Sequence, residues 1–103
     1  MLNQLVLVGR LVKDVEIKET NGNKNAIITL AVNRSYKNVN GEYETDFIDI
    51  VLWNGIATNT KEYCKKGDVI GIKGRIQTTS VNDKKNIEII AEKVTFLSSN
   101  KGQ

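Results

Sequence analysis

The segment Asp46–Asn54 carries the side chains best suited to a chemical role. Its residues alternate as in a half-buried strand, whose successive side chains point to opposite faces. One face holds Ile48, Ile50 and Leu52, a pattern typical of a core. The other face holds Phe47, Asp49, Val51 and Trp53. A sheet face with spaced aromatics and nearby cations can stack unpaired nucleobases. Burial in a subunit interface is the alternative, because aromatic side chains are enriched there.

A third aromatic side chain and seven cations could complete such a surface. Tyr36 ends the strand that a turn joins to the Phe47–Trp53 strand. The candidate phosphate contacts are Arg10, Lys13, Arg34, Lys73, Arg75, Lys84 and Lys85. Each alone is ordinarily a solvated surface group. The three aromatic side chains together predict base stacking worth about 3–9 kcal/mol before ordering costs. The cations interleaved with them predict that affinity for the nucleic acid falls as salt increases. Nothing in the pattern reads base edges, so we expect little sequence preference.

The sequence lacks the residues that catalysis and metal binding usually require. Histidine, the commonest acid–base group near neutral pH, is absent, and Cys64 is the only cysteine. Asp46 and Asp49 lie three positions apart on one strand and therefore point to opposite faces. Asp14 and Glu16 read as isolated solvated acids. We expect no enzymatic activity, no metal site and no cofactor.

Length and composition indicate one intracellular domain. The chain has 103 residues, 40% of them hydrophobic, and a mild net charge of +3. A lone cysteine cannot form an internal disulfide, which fits a reducing cytosol. The apolar start, Met1–Arg10, lacks the basic segment and cleavage site of a signal peptide. No apolar run approaches the roughly 20 residues that span a bilayer. These features predict a cytoplasmic protein without membrane contact.

Period-two alternation predicts five strands with a short helix after the third. Asn-Gly turns at 20–25 and 38–42 separate the first three strands, and Gly71 and Gly74 indicate bending in the fourth. Asn54 is predicted to cap the helix, which we expect to run to 63–66 before Gly67. Thr78–Lys85 reads as a polar hairpin tip before the last strand. This order predicts an all-β OB-fold, a five-stranded Greek-key barrel, over 1–97, with a flexible polar tail over 98–103.

Five segments in order carry a family resemblance. They are Asn3–Asp14, Thr29–Tyr36, Asp46–Trp53, Glu62–Gly67 and Gly74–Thr78. Together they resemble bacterial single-stranded DNA-binding proteins over nearly the whole chain to Leu97, most closely the short, Gram-positive-type members.

The resemblance implies an OB-fold protomer that forms a homotetramer and coats single-stranded DNA during replication, recombination and repair. The family's stacking positions fall on Tyr36, Phe47 and Trp53. Its basic positions fall on Arg10, Arg34 and Arg75, to which we add Lys73 as a neighbour. The first strand, Asn3–Val8, is implied to contribute to a dimer contact.

Two departures from the family pattern modify these expectations. Many relatives carry an aromatic residue where this chain has Val81, and a basic residue where it has Thr79, so we expect weaker binding or a smaller footprint. Lys84 and Lys85 could compensate through charge. The given sequence ends at Gln103 without the acidic tip that recruits replication proteins in many relatives. Either such recruitment is not expected of this member, or the sequence is a truncated form of a longer protein.

Two other OB-fold functions remain as alternatives. A primosome-type accessory module would work mainly through protein contacts and would cover its aromatic face. An oligosaccharide-binding domain would bind its ligand without salt dependence, and the basic rim argues against it.

Overall fold

The computed structural model describes residues 1–98, which form six strands and one helix. The elements in chain order are β1 (Leu5–Leu11), β2 (Lys18–Thr20), β3 (Asn23–Lys37), β4 (Tyr43–Trp53), α1 (Asn54–Tyr63), β5 (Val69–Val81) and β6 (Lys84–Ser98).

Five of the strands close into a barrel. The sheet order is β1-β5-β6-β4-β3-β2, and an additional antiparallel contact between β1 and β3 completes the ring. Closure between β4 and β6 is parallel, with Val51 opposite Ile90. The short β2 lies outside the ring and pairs only with β3. The predicted OB-fold is therefore confirmed, with its helix between the third and fourth barrel strands.

The barrel interior is filled by alternating aliphatic residues from each strand. Leu30, Ile50, Leu52 and Ile70 are fully buried, and α1 adds Ala57 and Thr60 to the interior. The buried hydroxyl of Thr60 donates to the carbonyl of Ile56 at 2.7 Å. The predicted core face of β4, formed by Ile48, Ile50 and Leu52, is thus confirmed.

Ile76 follows the alternation of the buried residues Ile70 and Ile72, which predicts an inward position, yet it is exposed where β5 leaves the barrel. Tyr63, whose ring meets that of Phe96, is also exposed, although its place in the helix predicts the inner face.

The predicted cap at Asn54 is wrong. The residue before the helix is Trp53, and no side chain caps the helix N-terminus. Asn54 is the first helical residue and has a left-handed φ of 47°, which asparagine tolerates better than most residues. Its side-chain oxygen instead accepts the backbone N–H of Lys24 at 3.1 Å. The β3–β4 register brings Lys24 there, since Asn25 pairs with Trp53.

The β5–β6 hairpin extends further than the sequence predicts. Pairing continues through the predicted tip to Val81 and Lys84. A two-residue turn of Asn82 and Asp83, with φ of 52° and 64°, joins the strands. Positive φ at both positions is the conformation that suits the twist of a tight hairpin. We call the part of this hairpin from Arg75 to Ile90 the arm.

The end of β6 coincides with the end of the described region. Ser98 pairs with Val69, so the first residue of the predicted tail is in a strand. The rest of that predicted tail, 99–103, lies outside the described residues. Within residues 1–98, no helix combines the length and hydrophobicity needed to cross a membrane.

Gly74 is required where β5 bends. Its partner strand carries an extra residue there, as Lys73 pairs with Lys93 and Gly74 with Ala91. A Cβ on Gly74 would press against the carbonyl oxygen of Ile90, whereas a Cβ on Gly55 in α1 would meet nothing within 4 Å.

We therefore expect Gly74→Ala to lower the free energy of unfolding by about 1–3 kcal/mol, through backbone displacement in a packed region. Gly55→Ala is the matched control, and a helical Gly→Ala change stabilises by about 0.5–1 kcal/mol. Urea unfolding measures both variants. Equal stability of the two variants would contradict the role assigned to Gly74.

Candidate nucleic-acid interface

Strand β4 carries a row of exposed aromatic side chains. The outward-facing, odd-numbered positions of this strand include Tyr43, Phe47 and Trp53. These three side chains are 61%, 68% and 43% exposed, respectively. Glu44 and Asp46 lie on the other side, since both contact Arg34. We call the outer side of β4, from Tyr43 to Trp53, the aromatic face. Tyr43 was missed from sequence because the strand was read only from Asp46, although the same alternation extends back to it.

Cross-strand register connects this face to the rest of the sheet. Residues paired across a sheet share a face. Arg10 pairs with Ala31, which pairs with Phe47, so one row crosses β1, β3 and β4. A second row crosses four strands through Ile27, Val51, Ile90 and Arg75. The aromatic face therefore continues onto one side of the arm.

Tyr36 lies apart from this row. Between the pairs Asn33–Thr45 and Lys37–Tyr43, three residues of β3 stand opposite Glu44 alone. Tyr36 belongs to this irregular stretch and is exposed. Tyr36 thus lies two residues from Arg34 in the irregular stretch, outside the paired row that contains Phe47.

Arg34, a predicted phosphate contact, is held by two carboxylates. Its Nη2 and Nε donate to Asp46 at 2.9 and 3.1 Å, and its Nη1 lies 3.3 Å from Glu44. The hydrogen bonds to Asp46, more than any other cause, raise the pKa of Arg34 further above its ordinary value. They also lower the pKa of the Asp46 carboxyl. The local charge of the three groups is negative.

The other two predicted arginines also have partners within the chain. Arg75 lies 3.6 Å from Glu92 and donates to Gln77 at 2.7 Å. Arg10 donates to the carbonyl of Gly67 at 2.5 Å, a bond that leaves its charge uncompensated. Among residues 1–98, only Arg34 and Arg75 form ion pairs.

The four predicted lysines are exposed and occupy different places around the face. Lys13 lines a cavity beside β3 and β4 that includes Thr29 and Asp49. Lys73 precedes Arg75 by two residues on the same side of β5. Lys84 pairs with Val81 on the side of the arm that continues the aromatic face, and Lys85 pairs with Ser80 on the opposite side.

Two observations bear on catalysis and metal binding. Burial, with a smaller contribution from Asp68, raises the pKa of the Cys64 thiol to about 11, which makes it a poor nucleophile near neutral pH. In the described part of the chain, no three His, Cys, Asp or Glu residues are grouped as a metal ion would require.

Comparison with known proteins identifies the family. The model of the Single-strand binding protein family matches residues 2–97. The chain belongs to this family. Its similar proteins include single-stranded DNA-binding protein B of Bacillus subtilis, 45% identical over 94% of this chain and 91% of that protein. Single-stranded DNA-binding protein 1 of Lactococcus lactis is 46% identical over 100% and 73%. The single-stranded DNA-binding protein of Streptococcus pneumoniae is 44% identical over 96% and 67%.

The resemblance inferred from five segments is thus confirmed, including the likeness to Gram-positive relatives. In this member of the single-strand binding protein family, Val81 is an exposed aliphatic residue opposite Lys84. The arm therefore presents an apolar side chain and a cation together near its turn.

The Arg34–Asp46 ion pair leads to a prediction of how the stability of the fold depends on pH. Because folding lowers the pKa of Asp46, the pair stabilises the fold above the ordinary carboxyl value of 3.8 and ceases to do so as pH falls through the lowered value. We expect Asp46→Asn to lower Tm by a few degrees at most at pH 7, and to leave it unchanged at the acidic end of the folded range. Thermal unfolding followed by circular dichroism measures this, with Glu62→Gln on α1 as the control. An Asp46→Asn deficit that persists at low pH would contradict the assignment.

Proposed function

We propose that this protein coats single-stranded DNA, largely independently of base sequence, and so protects it during replication, recombination and repair. The observation that carries the proposal is the row Tyr43, Phe47 and Trp53 on one continuous face with cations around it. Membership of the Single-strand binding protein family supports it, as do relatives named single-stranded DNA-binding proteins.

In the proposed mechanism, bases stack on the exposed rings while lysines and arginines neutralise phosphates. Each base–aromatic contact contributes about 1–3 kcal/mol, and released counterions make affinity decrease as salt increases. Lys13, Lys73 and Lys84 are available for phosphates directly, and Arg10 keeps its full charge. Arg34 and Arg75 would first have to exchange a carboxylate for a phosphate. Tyr36 would stack a base beyond the end of the row.

The proposal describes a non-catalytic protein that acts in the cytoplasm. Coating is stoichiometric and needs no nucleophile or general base. The raised pKa of Cys64 is consistent with a structural role for that thiol.

We also propose a homotetramer in which β1 contributes to a subunit contact. Val6 and Val8 are 71% and 51% exposed on the outer side of β1. Among residues 1–98, β1 pairs with β3 only at Arg10 and Leu11, so the second edge of Leu5–Val8 has no neighbouring strand. Asn3 is engaged within the chain, because its side chain exchanges two hydrogen bonds with the backbone of Ile76, at 2.6 and 3.0 Å.

The first test is a titration of Trp53 fluorescence with oligo(dT) at low and high salt. We expect strong quenching, because Trp53 is the only tryptophan and lies on the proposed stacking face. Tyr43→Ala and Phe47→Ala should each lower affinity by roughly 5- to 100-fold. Tyr63→Ala is the matched control, since Tyr63 is an equally exposed ring on α1.

Absence of quenching with oligo(dT), duplex DNA and RNA at low salt would overturn the proposed function. A dimeric mass and a blue-shifted Trp53 emission would then favour an accessory module with a covered aromatic face. Salt-independent binding of oligosaccharides would instead favour the carbohydrate-binding alternative.

Adjacent lysines at the arm's turn give a second test. Lys84 lies on the side of the arm that continues the aromatic face, and Lys85 lies on the opposite side. We expect Lys84→Ala to reduce the slope of log affinity against log salt by about 0.7, the value for one phosphate contact on a single strand. Lys85→Ala should change the slope much less. Equal slopes for both variants and the unmodified protein would contradict this placement.

A further inference from the structure

A shallow cavity of about 270 Å³ opens beside the aromatic face. Its lining residues are Lys13, Glu16, Lys18, Asn25, Ile27, Thr29 and Asp49. Asn25 is the cross-strand partner of Trp53, and Asp49 follows Phe47 by two positions on the same side of β4. The cavity therefore lies between two proposed stacking side chains, where a base on the sheet would present its edge.

Asp49 is an unusual residue for a face that receives a polyanion. Its carboxylate repels phosphates, so it does not serve the phosphate contacts of the proposed function. Thr29 donates its hydroxyl proton to Oδ1 of Asp49 at 2.6 Å, which fixes the orientation of the carboxylate. A carboxylate oxygen has several acceptor positions and no donor, so Asp49 retains acceptor capacity after this bond.

The surroundings of Asp49 suit an uncharged, planar ligand with hydrogen-bond donors. Ile27 provides an apolar wall and is 58% exposed. Lys13 and Lys18 balance the formal charges of Glu16 and Asp49 around the cavity. Phosphates would lie toward the lysines, and a base edge would face the carboxylate.

We propose that Asp49 accepts a hydrogen bond from the exocyclic amino group of a base seated in this cavity. Cytosine carries such a donor at N4, adenine at N6 and guanine at N2, whereas thymine and uracil carry only acceptors and a ring N–H. Asp49 thus favours amino bases at one position along the bound strand. The inference rests on the proposed function and refines it. Binding stays largely independent of base sequence, but one position along the bound strand favours bases that carry an exocyclic amino group.

The test compares the affinity for oligo(dC) with that for oligo(dU), at pH 8. These two bases are chosen because they differ at position 4, where cytosine has an amino group and uracil a carbonyl. Affinity is measured by Trp53 quenching for the unmodified chain and for Asp49→Asn. Asparagine keeps the shape of aspartate but can donate to the O4 of uracil. We expect the ratio of dC affinity to dU affinity to fall by about tenfold or more in Asp49→Asn, as for loss of one hydrogen bond to a charged group.

Glu16→Gln is the matched control for charge. It removes one negative charge from the same cavity, so it should raise affinity for both oligomers and leave their ratio unchanged. Thr29→Val tests orientation: without the hydroxyl donor, the dC/dU ratio should move toward that of Asp49→Asn. Far-ultraviolet circular dichroism and Tm show that each variant is folded before titration.

Each outcome decides one of the two proposals. A dC/dU ratio that stays within twofold in Asp49→Asn, or that falls equally in Glu16→Gln, overturns the assignment of Asp49 while leaving DNA coating intact. Failure of the unmodified chain to bind either oligomer or oligo(dT) overturns the proposed function, and the subsite with it.

Discussion

The pleat of β4 is the constraint on which the candidate site depends. Every even-numbered residue from Ile48 to Leu52 is committed to the barrel interior, and Ile50 and Leu52 are fully buried. A slip of one residue would place the whole apolar set in water, so burial fixes the register firmly. The outward direction of Phe47, Asp49 and Trp53 follows from that same burial. The fold thus positions its exposed aromatics through side chains that never reach the surface.

Charge around the aromatic face and on the opposite side of β4 is arranged more finely than the net value of +3 indicates. Acids stand beside several of the cations: Asp46 and Glu44 hold Arg34, and Glu92 lies near Arg75. Lys13, Lys73 and Lys84, which form no ion pair in the described region, stand at the margins of the aromatic face. Such a distribution separates a central region suited to bases from edges suited to phosphates. It also keeps the paired arginines ordered until a stronger anion displaces their carboxylates.

Local patterns predicted much of this arrangement, and tertiary contacts account for the rest. Alternation was sufficient for Ile50 and Leu52, and the turn residues were sufficient for the loop at 38–42, because both signals are local. Asn54 was misassigned as a cap because its actual partner, Lys24, is distant in sequence and comes beside it through the β3–β4 register. The pairing of Arg34 was not predictable either, since it depends on the irregular stretch where three residues of β3 face Glu44. The end of the arm, Thr78–Lys85, was read as a polar hairpin tip because its residues are polar, yet backbone pairing continues along it to a tight turn at Asn82 and Asp83.

The parallel contact between β4 and β6 has a mechanical consequence. Only Val51 and Ile90 pair along this line, whereas β3–β4 and β5–β6 are long antiparallel ladders. The exposed surface therefore consists of two extensively hydrogen-bonded hairpins, the β3–β4 hairpin and the arm. They are joined at the Val51–Ile90 pair, which we call the seam. Because local opening is favoured where backbone hydrogen bonds are fewest, we expect the two hairpins to separate at this seam before either hairpin frays. A DNA strand bound across the seam would contact both hairpins and oppose that opening. The barrel would therefore become more rigid when DNA is bound.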